Sequence, residues 1–269
     1  MTVEFAQKYG PWALVTGASR GLGAEFARQC AERGLNVVLV ATNADRLAAQ
    51  ASAIEQAYPV ETRTVPLDLA REDFLDEVRP VTDPLRIGLL INNAGISTVG
   101  PFLERDTDYL VRQLHVNSRA GLILAHHFGA GMALAGQGGI IFVSSGSALH
   151  GTPYAANYAG TKAYNLILAE SLWYELGPLG VDVLGFMAGT TDTPGLAANH
   201  PKPSRVVPVM DPAATVTEAL DALGRRPSRG AGRANRLGYT VMGLLPRSAA
   251  VRTLGRSMSA MFGPFGTRS

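Results

Sequence analysis

Cysteine, aromatic side chains and long apolar runs are all scarce in this chain, and acid is missing from one end of it. A single thiol, Cys30, occurs in 269 residues, which excludes an internal disulfide and a dithiol redox centre. Cys30 stands beside Ala27 and Ala31 in a helical pattern, the setting of a small core residue rather than a nucleophile. No Cys/His spacing suits a metal, and the adjacent His126 and His127 would splay apart on a helix, so no metal ligands are assigned. No uninterrupted apolar stretch reaches the roughly 18 residues that would span a bilayer. The polar start MTVEFAQKYG lacks the charged-then-apolar layout of a signal peptide. These absences point to a cytoplasmic protein. No Asp or Glu follows Asp221, whereas nine of the 24 basic residues do, leaving 15 basic against 22 acidic side chains before that point. The overall charge of +2 therefore hides an acidic body and a basic tail, and it gives no reason to expect a nucleic-acid partner.

With 46% hydrophobic residues and 17% charged, the chain has ample material for a core. No break in composition divides it, so residues 1–269 read as a single domain, with a core over about 12–224 and a basic extension over 225–269. Short apolar runs alternate with longer helical patterns: strands at Ala13–Thr16, Asn36–Ala41, Thr62–Pro66, Ile87–Ile91, Gly139–Ser144 and Val181–Met187, helices at Gly21–Arg33, Ala44–Tyr58, Phe74–Val78, Thr107–Ala135, Asn157–Leu176 and Pro212–Leu223. Near-continuous apolar strands are buried on both faces, which predicts an α/β fold: a doubly wound parallel sheet (Rossmann fold) with helices on both faces. Ser228–Arg233 argues poorly for a seventh strand because of its Gly and Arg content. Leu237–Phe262 reads as a C-terminal helical extension, one or two apolar, basic-edged helices broken near Pro246. A packed element or subunit interface is the plainer reading of it, and peripheral membrane contact through its Arg, Leu, Met and Phe is the sharper one.

The first strand runs into Thr16-Gly17-Ala18-Ser19-Arg20-Gly21-Leu22-Gly23 and then a helix. Such a turn aims backbone N–H groups and a helix N-terminus at a pyrophosphate, and glycine is needed because a Cβ would block the approach. Gly17, Ser19, Gly21, Leu22 and Gly23 are the candidate phosphate-binding residues. A second strand that served NAD would end in a carboxylate bonding the adenosine ribose; here it ends Ala41-Thr42-Asn43, and Arg20 lies where it could meet a 2′-phosphate. Missing negative and present positive charge favour NADP over NAD, with Thr42 beside the ribose. Asp68-Leu69 and Asn93-Ala94-Gly95 close the next two strands on the same edge, Asp68 placed to accept from the adenine amino group.

Tyr158 and Lys162 stand four apart in a helical pattern, so phenol and ammonium share a face. A free phenol, with a pKa near 10, is a poor acid–base at neutral pH, and a neighbouring ammonium favours its ionised form. Ser145 follows a buried strand thirteen positions earlier, placed to hold a substrate oxygen. Asn117 lies in the preceding helix, where a buried amide needs a purpose and a water-linked relay to Lys162 supplies one.

TGASRGLG, NNAG, Asn117, Ser145 and the Tyr158/Lys162 spacing, in that order over about residues 12–224, resemble the short-chain dehydrogenase/reductase family. The resemblance implies an NADP(H)-linked hydride transfer between nicotinamide and a carbonyl or secondary alcohol. It implies Tyr158 as general acid–base, Ser145 as the group that orients the carbonyl, and Lys162 as partner of the nicotinamide ribose that also lowers the Tyr158 pKa. Asn117 supports a relay water. Gly189, Thr191 and Thr193 match the turn after the sixth strand, Thr193 contacting the carboxamide, but Ala188 stands where the family has Pro. The resemblance also implies that the helices over Thr107–Ala135 and Asn157–Leu176, the second bearing Leu172, Trp173 and Tyr174, pair in a homodimer or homotetramer.

Specificity is expected in Pro194–Met210, a short lid, and in Gly146–Asn157 with Leu149, His150, Pro153 and Tyr154. Neither segment carries a cation cluster for a CoA or phosphate group, since Lys202 and Arg205 are isolated, so an uncharged, bulky apolar small molecule fits best. KYGPWALVTGAS, PVETRTVPLDLA and GVDVLGFMAGTTDTP are similar to bacterial hydroxysteroid dehydrogenases, the 7β type included. The alternatives are a 3-oxoacyl-thioester reductase and a non-catalytic NADP-binding sensor.

Overall fold

Seven parallel strands form the centre of the computed structural model, which describes residues 2–198, 202, 209–263 and 265. They are β1 (Trp12–Thr16), β2 (Asn36–Ala41), β3 (Thr62–Pro66), β4 (Ile87–Asn92), β5 (Gly138–Ser144), β6 (Val181–Met187) and β7 (Ser228–Gly230), in the order β3-β2-β1-β4-β5-β6-β7. Alternate side chains of one strand feed two cores: Ala13 and Val15 pack on one face of the sheet, Trp12 and Leu14 on the other. That is why the strands read as apolar runs instead of alternating ones. The first face is covered by α2 (Gly21–Glu32), α3 (Ala44–Ala57) and α9 (Pro212–Ala222), through Phe26, Leu47, Ile54 and Val216. The second is covered by α4 (Phe74–Thr82), α6 (Ala120–Leu134) and α7 (Ala156–Leu176), through Phe74, Leu124, Phe128 and Ala169. The doubly wound fold is as expected. Successive connections reverse direction between β1 and β4, the position where open α/β sheets take their ligands at the carboxyl edge.

Several elements differ from the expectation. β7 does form, pairing Ser228–Gly230 with Gly185–Met187 of β6. Glu218 of α9 secures β7 and the start of the next helix, accepting hydrogen bonds from Arg229 Nε at 2.9 Å and Gly232 N at 2.7 Å and pairing with Arg236. Of the two arginines that argued against a strand, Arg229 is thus paired, and Arg233 lies beyond β7 at the exposed start of the next helix. A helix unforeseen from its polar sequence, α1 (Thr2–Tyr9), closes the amino edge of the sheet, with Tyr9 donating to Asp182 Oδ2 at 2.6 Å. α4 runs four residues past Val78, through Pro80, because Val78 and Thr82 are both buried and packing outweighs the missing N–H. The single helix expected over Thr107–Ala135 is α5 (Thr107–Leu114) and α6 joined by a wide π turn, His115–Arg119. Cys30 is fully buried and burial pushes its thiol up to about 12, so it is inert.

The basic extension is a packed part of the fold. α8 (Pro194–Ala197) begins the expected lid, of which residues 199–201 and 203–208, with His200 and Arg205, lie outside the described residues. α10 (Arg233–Gly243) and α11 (Arg247–Phe262) flank Pro246 and lie across the carboxyl edge of the sheet. α11 meets the Gly146–Asn157 loop closely: a Cβ on Gly255 would stand 3.2 Å from Pro153 Cγ. Phe265 stacks on Tyr154 with ring centroids 4.0 Å apart.

Candidate active site

β1 ends in Thr16, whose buried hydroxyl ties two sheet-edge turns together. It accepts from the N–H groups of Asn93 and Ala94, each at 3.0 Å, and donates to Ile91 O at 3.2 Å. Asn93 returns the contact, donating from Nδ2 to Thr16 O at 2.8 Å. The turn after β1 needs its glycines. Gly17 has φ +69°, and a Cβ there would lie 2.9 Å from Asn93 Nδ2; a Cβ on Gly23 would lie 2.1 Å from Gly17 O. Gly17 therefore keeps the backbone open toward the cleft, and Gly23 lets α2 seat on the turn. Arg20 immediately precedes α2, is exposed, and its guanidinium has no partner among the described residues. Thr42 stands at the end of β2, and Asn43 caps α3 by accepting from Arg46 N at 2.8 Å.

Asp68 is more occupied than expected. Oδ1 accepts from Ala70 N at 3.0 Å and Oδ2 from Arg112 Nη1 at 2.7 Å. Burial alone would raise its pKa, but those donors and the nearby Arg71 hold it below the ordinary carboxylate value. It is an ionised acceptor fixed in place by Arg112, a residue sequence reasoning did not select.

Asn117 also differs from expectation. Its amide is consumed by protein: Nδ2 donates to Ile96 O at 3.0 Å and Thr161 Oγ1 at 3.1 Å, while Oδ1 accepts from Ile96 N at 2.8 Å. The side chain is thus a brace between the loop after β4 and α7, and it has no free donor for a relay. The π turn explains the local geometry. Widening the helix by one residue releases the Asn117 carbonyl from the regular ladder, and Asn165 Nδ2 donates to it at 2.7 Å.

Lys162 is buried, 4% exposed, with Nζ donating to Val143 O at 2.7 Å. Ser144 Oγ donates to Lys162 O at 2.7 Å, so β5 holds both ends of that residue. Nζ lies over the Tyr158 ring, 5.7 Å from its centroid, and a Cβ on Gly95 would stand 3.3 Å from it. The ammonium was expected to depress the phenol. With the protein's own groups, burial instead pushes the Tyr158 hydroxyl above its ordinary value, and the hydrogen bond with Ser145 opposes that rise. Lys162 is itself pushed down to about 8 by burial. Burial is the largest cause at both groups, because it removes the water that would solvate each charged form.

The turn after β6 carries the departure at Ala188. Its N–H donates to Ser144 O at 3.4 Å, a bond that proline could not make, and it extends the β5–β6 ladder by one rung. Gly189 comes next with φ +69°, Thr191 is buried, and the Thr193 side chain caps α8 by accepting from Leu196 N at 3.3 Å.

All of the expected site residues except Asn117 line one cleft of about 860 Å³. Its glycine turn, the opening at Gly95 and the start of α2 fit an extended dinucleotide laid over the carboxyl edge. A family model described as short chain dehydrogenase matches residues 11–203. This chain is a short-chain dehydrogenase/reductase. Enzymes of the family act on carbonyl and alcohol groups with NAD(P). The chain is 30% identical over 260 residues to the 7β-hydroxysteroid dehydrogenase of Clostridium sardiniense, covering 96% of this chain and all of the relative. A solved 7β-hydroxysteroid dehydrogenase superposes with a TM-score of 0.87 at 28% identity, covering 93% of this chain and 98% of the other. A short-chain dehydrogenase from Sphingobium yanoikuyae in complex with NADPH gives 0.75 at 30% identity, covering 87% and 95%. The bulky-bulky ketone specific alcohol dehydrogenase from Comamonas testosteroni gives 0.73 at 31%, covering 88% and 94%.

The far wall of the cleft is the part that sequence reasoning missed in this short-chain dehydrogenase/reductase. α10 and α11 supply it, with Tyr239, Met242, Leu254, Met258, Met261 and Phe262 among the lining side chains. Tyr239 is seated between three glycines: added Cβ atoms on Gly146, Gly189 and Gly230 would approach it to 2.5, 3.8 and 2.8 Å. Its hydroxyl sits one residue along from Ser145, has no hydrogen-bond partner among the described residues, and burial raises its pKa, so it stays a neutral donor. The only sequence signal for it is an isolated tyrosine in a Gly- and Arg-rich stretch.

Proposed function

We propose that this short-chain dehydrogenase/reductase interconverts a bulky apolar ketone, steroid-like or alicyclic, and its secondary alcohol, with NADP(H) as the cofactor. The observation that carries the reading is the wall built by α10 and α11. None of the residues it contributes to the cleft is charged, and most are Met, Leu, Phe or small. Such a wall suits a broad hydrocarbon surface. It offers no cation for the phosphates of an acyl thioester, which disfavours 3-oxoacyl reduction. The likeness to hydroxysteroid and bulky-ketone dehydrogenases supports the same substrate class.

NADP is favoured by Arg20, unpaired at the mouth of the glycine turn, and by the absence of acid in Ala41-Thr42-Asn43. When bound, the nicotinamide cofactor supplies or takes up the hydride. Ser145 holds the substrate oxygen by donating to it, and Tyr158 passes its proton to that oxygen in reduction and recovers it in oxidation. Lys162 contacts the ribose and keeps positive charge below the phenol ring. Thr191 and Thr193 face the carboxamide end, and Asn117 braces the floor beneath Lys162. An intact Ser145, Tyr158 and Lys162 set in the cleft speaks against a non-catalytic sensor.

Subunit pairing through α6 and α7 accords with the exposure of Leu122, Tyr164, Ile167, Trp173 and Tyr174. No helix among the described residues is long and apolar enough to cross a membrane, and a cytoplasmic enzyme is the reading adopted. The test is a panel of oxosteroids, aryl ketones and acetoacetyl thioesters, each with NADPH and NADH. Oxosteroids or bulky ketones with NADPH are expected to turn over fastest, and turnover confined to thioesters would overturn the substrate class. Tyr158→Phe is expected to bind NADPH and lose nearly all turnover; a variant that retained turnover would remove Tyr158 from its role.

A further inference from the structure

α10 has two faces with different tasks. Asn235, Tyr239 and Met242 turn into the cleft. On the opposite side Leu237, Val241 and Leu244 are 67%, 52% and 82% exposed, and at about 100° per residue they form one stripe with Arg233. Arg247, Arg252 and Arg256 of α11 are exposed as well, and none of these four arginines has an ion pair or side-chain hydrogen bond among the described residues. The contrast with Arg229 and Arg236 is plain, since both of those pair with Glu218. Beyond Asp221 the chain contains no acid to serve the rest.

We propose that this stripe docks the enzyme on an anionic phospholipid bilayer. Leucine and valine side chains of α10 enter the headgroup boundary while Arg233 beside them meets lipid phosphate, the arrangement interfacial helices use, and the unpaired arginines of α11 add to the positive field of that end. Charge decides between occupants. If the stripe met its own copy across a two-fold axis, the unpaired arginines of both would crowd together with no carboxylate beyond Asp221 to separate them. A bilayer surface supplies the missing negative charge in excess. The docked helix is the one whose inner face walls the cleft, so an apolar substrate dissolved in the bilayer would reach the site around its edge. That last consequence rests on the substrate class proposed above; docking itself does not.

The experiment is vesicle flotation of the full chain, which needs no turnover. Vesicles of phosphatidylcholine with about a third phosphatidylglycerol are compared with pure phosphatidylcholine, at low and high salt. Flotation with the anionic vesicles at low salt, lost at high salt, is the expected result. Leu237→Ser with Leu244→Ser should lower the partition coefficient about 100-fold, roughly tenfold for each exposed leucine. Arg233→Gln with Arg247→Gln should lower it about 25-fold, roughly fivefold for each charge. Neither pair is buried, so both variants should keep the wild-type melting temperature. No binding to anionic vesicles, equal binding to neutral ones, or undiminished binding by the leucine variant would each overturn the proposal. So would a drop in oligomeric state on Leu237→Ser/Leu244→Ser in light scattering without lipid, which would assign the stripe to a second copy.

Discussion

Replacing Lys162 by methionine should make the protein more stable while stopping its chemistry. Lys162 is 4% exposed and keeps one hydrogen bond to protein, at 2.7 Å to Val143 O. Burial brings its pKa from 10.5 down to about 8. Each factor of ten in proton affinity is worth about 1.4 kcal/mol, so the charged side chain costs about 3 kcal/mol in the fold. Below pH 8 the lysine is charged in folded and unfolded chains alike, and the whole cost is present. Between about pH 8 and 10.5 the unfolded chain holds the extra proton, so wild-type stability rises with pH across that window. Methionine keeps the length of the side chain, removes the charge and leaves the Val143 carbonyl unpaired, which returns about 1–2 kcal/mol. The net gain near neutral pH is about 1–2 kcal/mol, or roughly 2–6 °C in melting temperature for a chain of this size. Thermal melts of both proteins at pH 7 and near pH 10, without cofactor, read it directly: the advantage of Lys162→Met should shrink at the higher pH. A variant less stable than wild type at pH 7, or a gap that does not change with pH, would refute the reasoning.

Arg20→Gln should weaken NADPH binding about 10- to 100-fold, the worth of a charged hydrogen bond to phosphate, and leave NADH binding unchanged; fluorescence titration separates the two. Thr16→Val leaves the Asn93 and Ala94 N–H groups without their acceptor; denaturant melts should show a loss of about 2–4 kcal/mol, with weaker cofactor binding. Tyr239→Phe removes a hydroxyl that has no protein partner, so stability should hold within about 0.5 kcal/mol. Its KM for a ketone bearing a second polar group near the carbonyl should rise about tenfold with little change in kcat; a matching fall in melting temperature would show the hydroxyl to be structural instead.

The parts of this molecule legible in its sequence are those where one physical demand dominates. Strands buried on both faces must be apolar throughout, and β1, β2, β4, β5 and β6 announce themselves that way. A backbone that approaches phosphate must lack Cβ atoms, and Gly17 meets that demand at a positive φ. Legibility fails where a residue's role depends on a distant partner. Arg229 reads as hostile to a strand as long as Glu218 of α9, which lies against it in the fold, is out of view. Asn117 reads as an amide awaiting a water, whereas Ile96 and Thr161 already satisfy it, and the π turn that frees its carbonyl has no compositional mark. Lys162 was expected to lower the Tyr158 pKa by attraction; depth of burial, which no sequence pattern states, is the largest cause at both groups and pushes the phenol up and the ammonium down. The task of α10 is hidden because its apolar stripe reads as the buried face, whereas that stripe is exposed and the mixed face opposite it lines the cleft.

The two halves of the cleft come from different stretches of the chain. The glycine turn and the strand ends that carry Asp68, Asn93 and Ser145 precede Tyr158, while the other wall is drawn from α10 and α11, with Glu218 pinning the start of α10 to the body. On the substrate reading proposed above, preference would be set by a segment separate in sequence from Ser145, Tyr158 and Lys162. Grafting the terminal helices of one such enzyme onto the sheet of another, with the acidic clip retained, is the natural way to re-address the reaction.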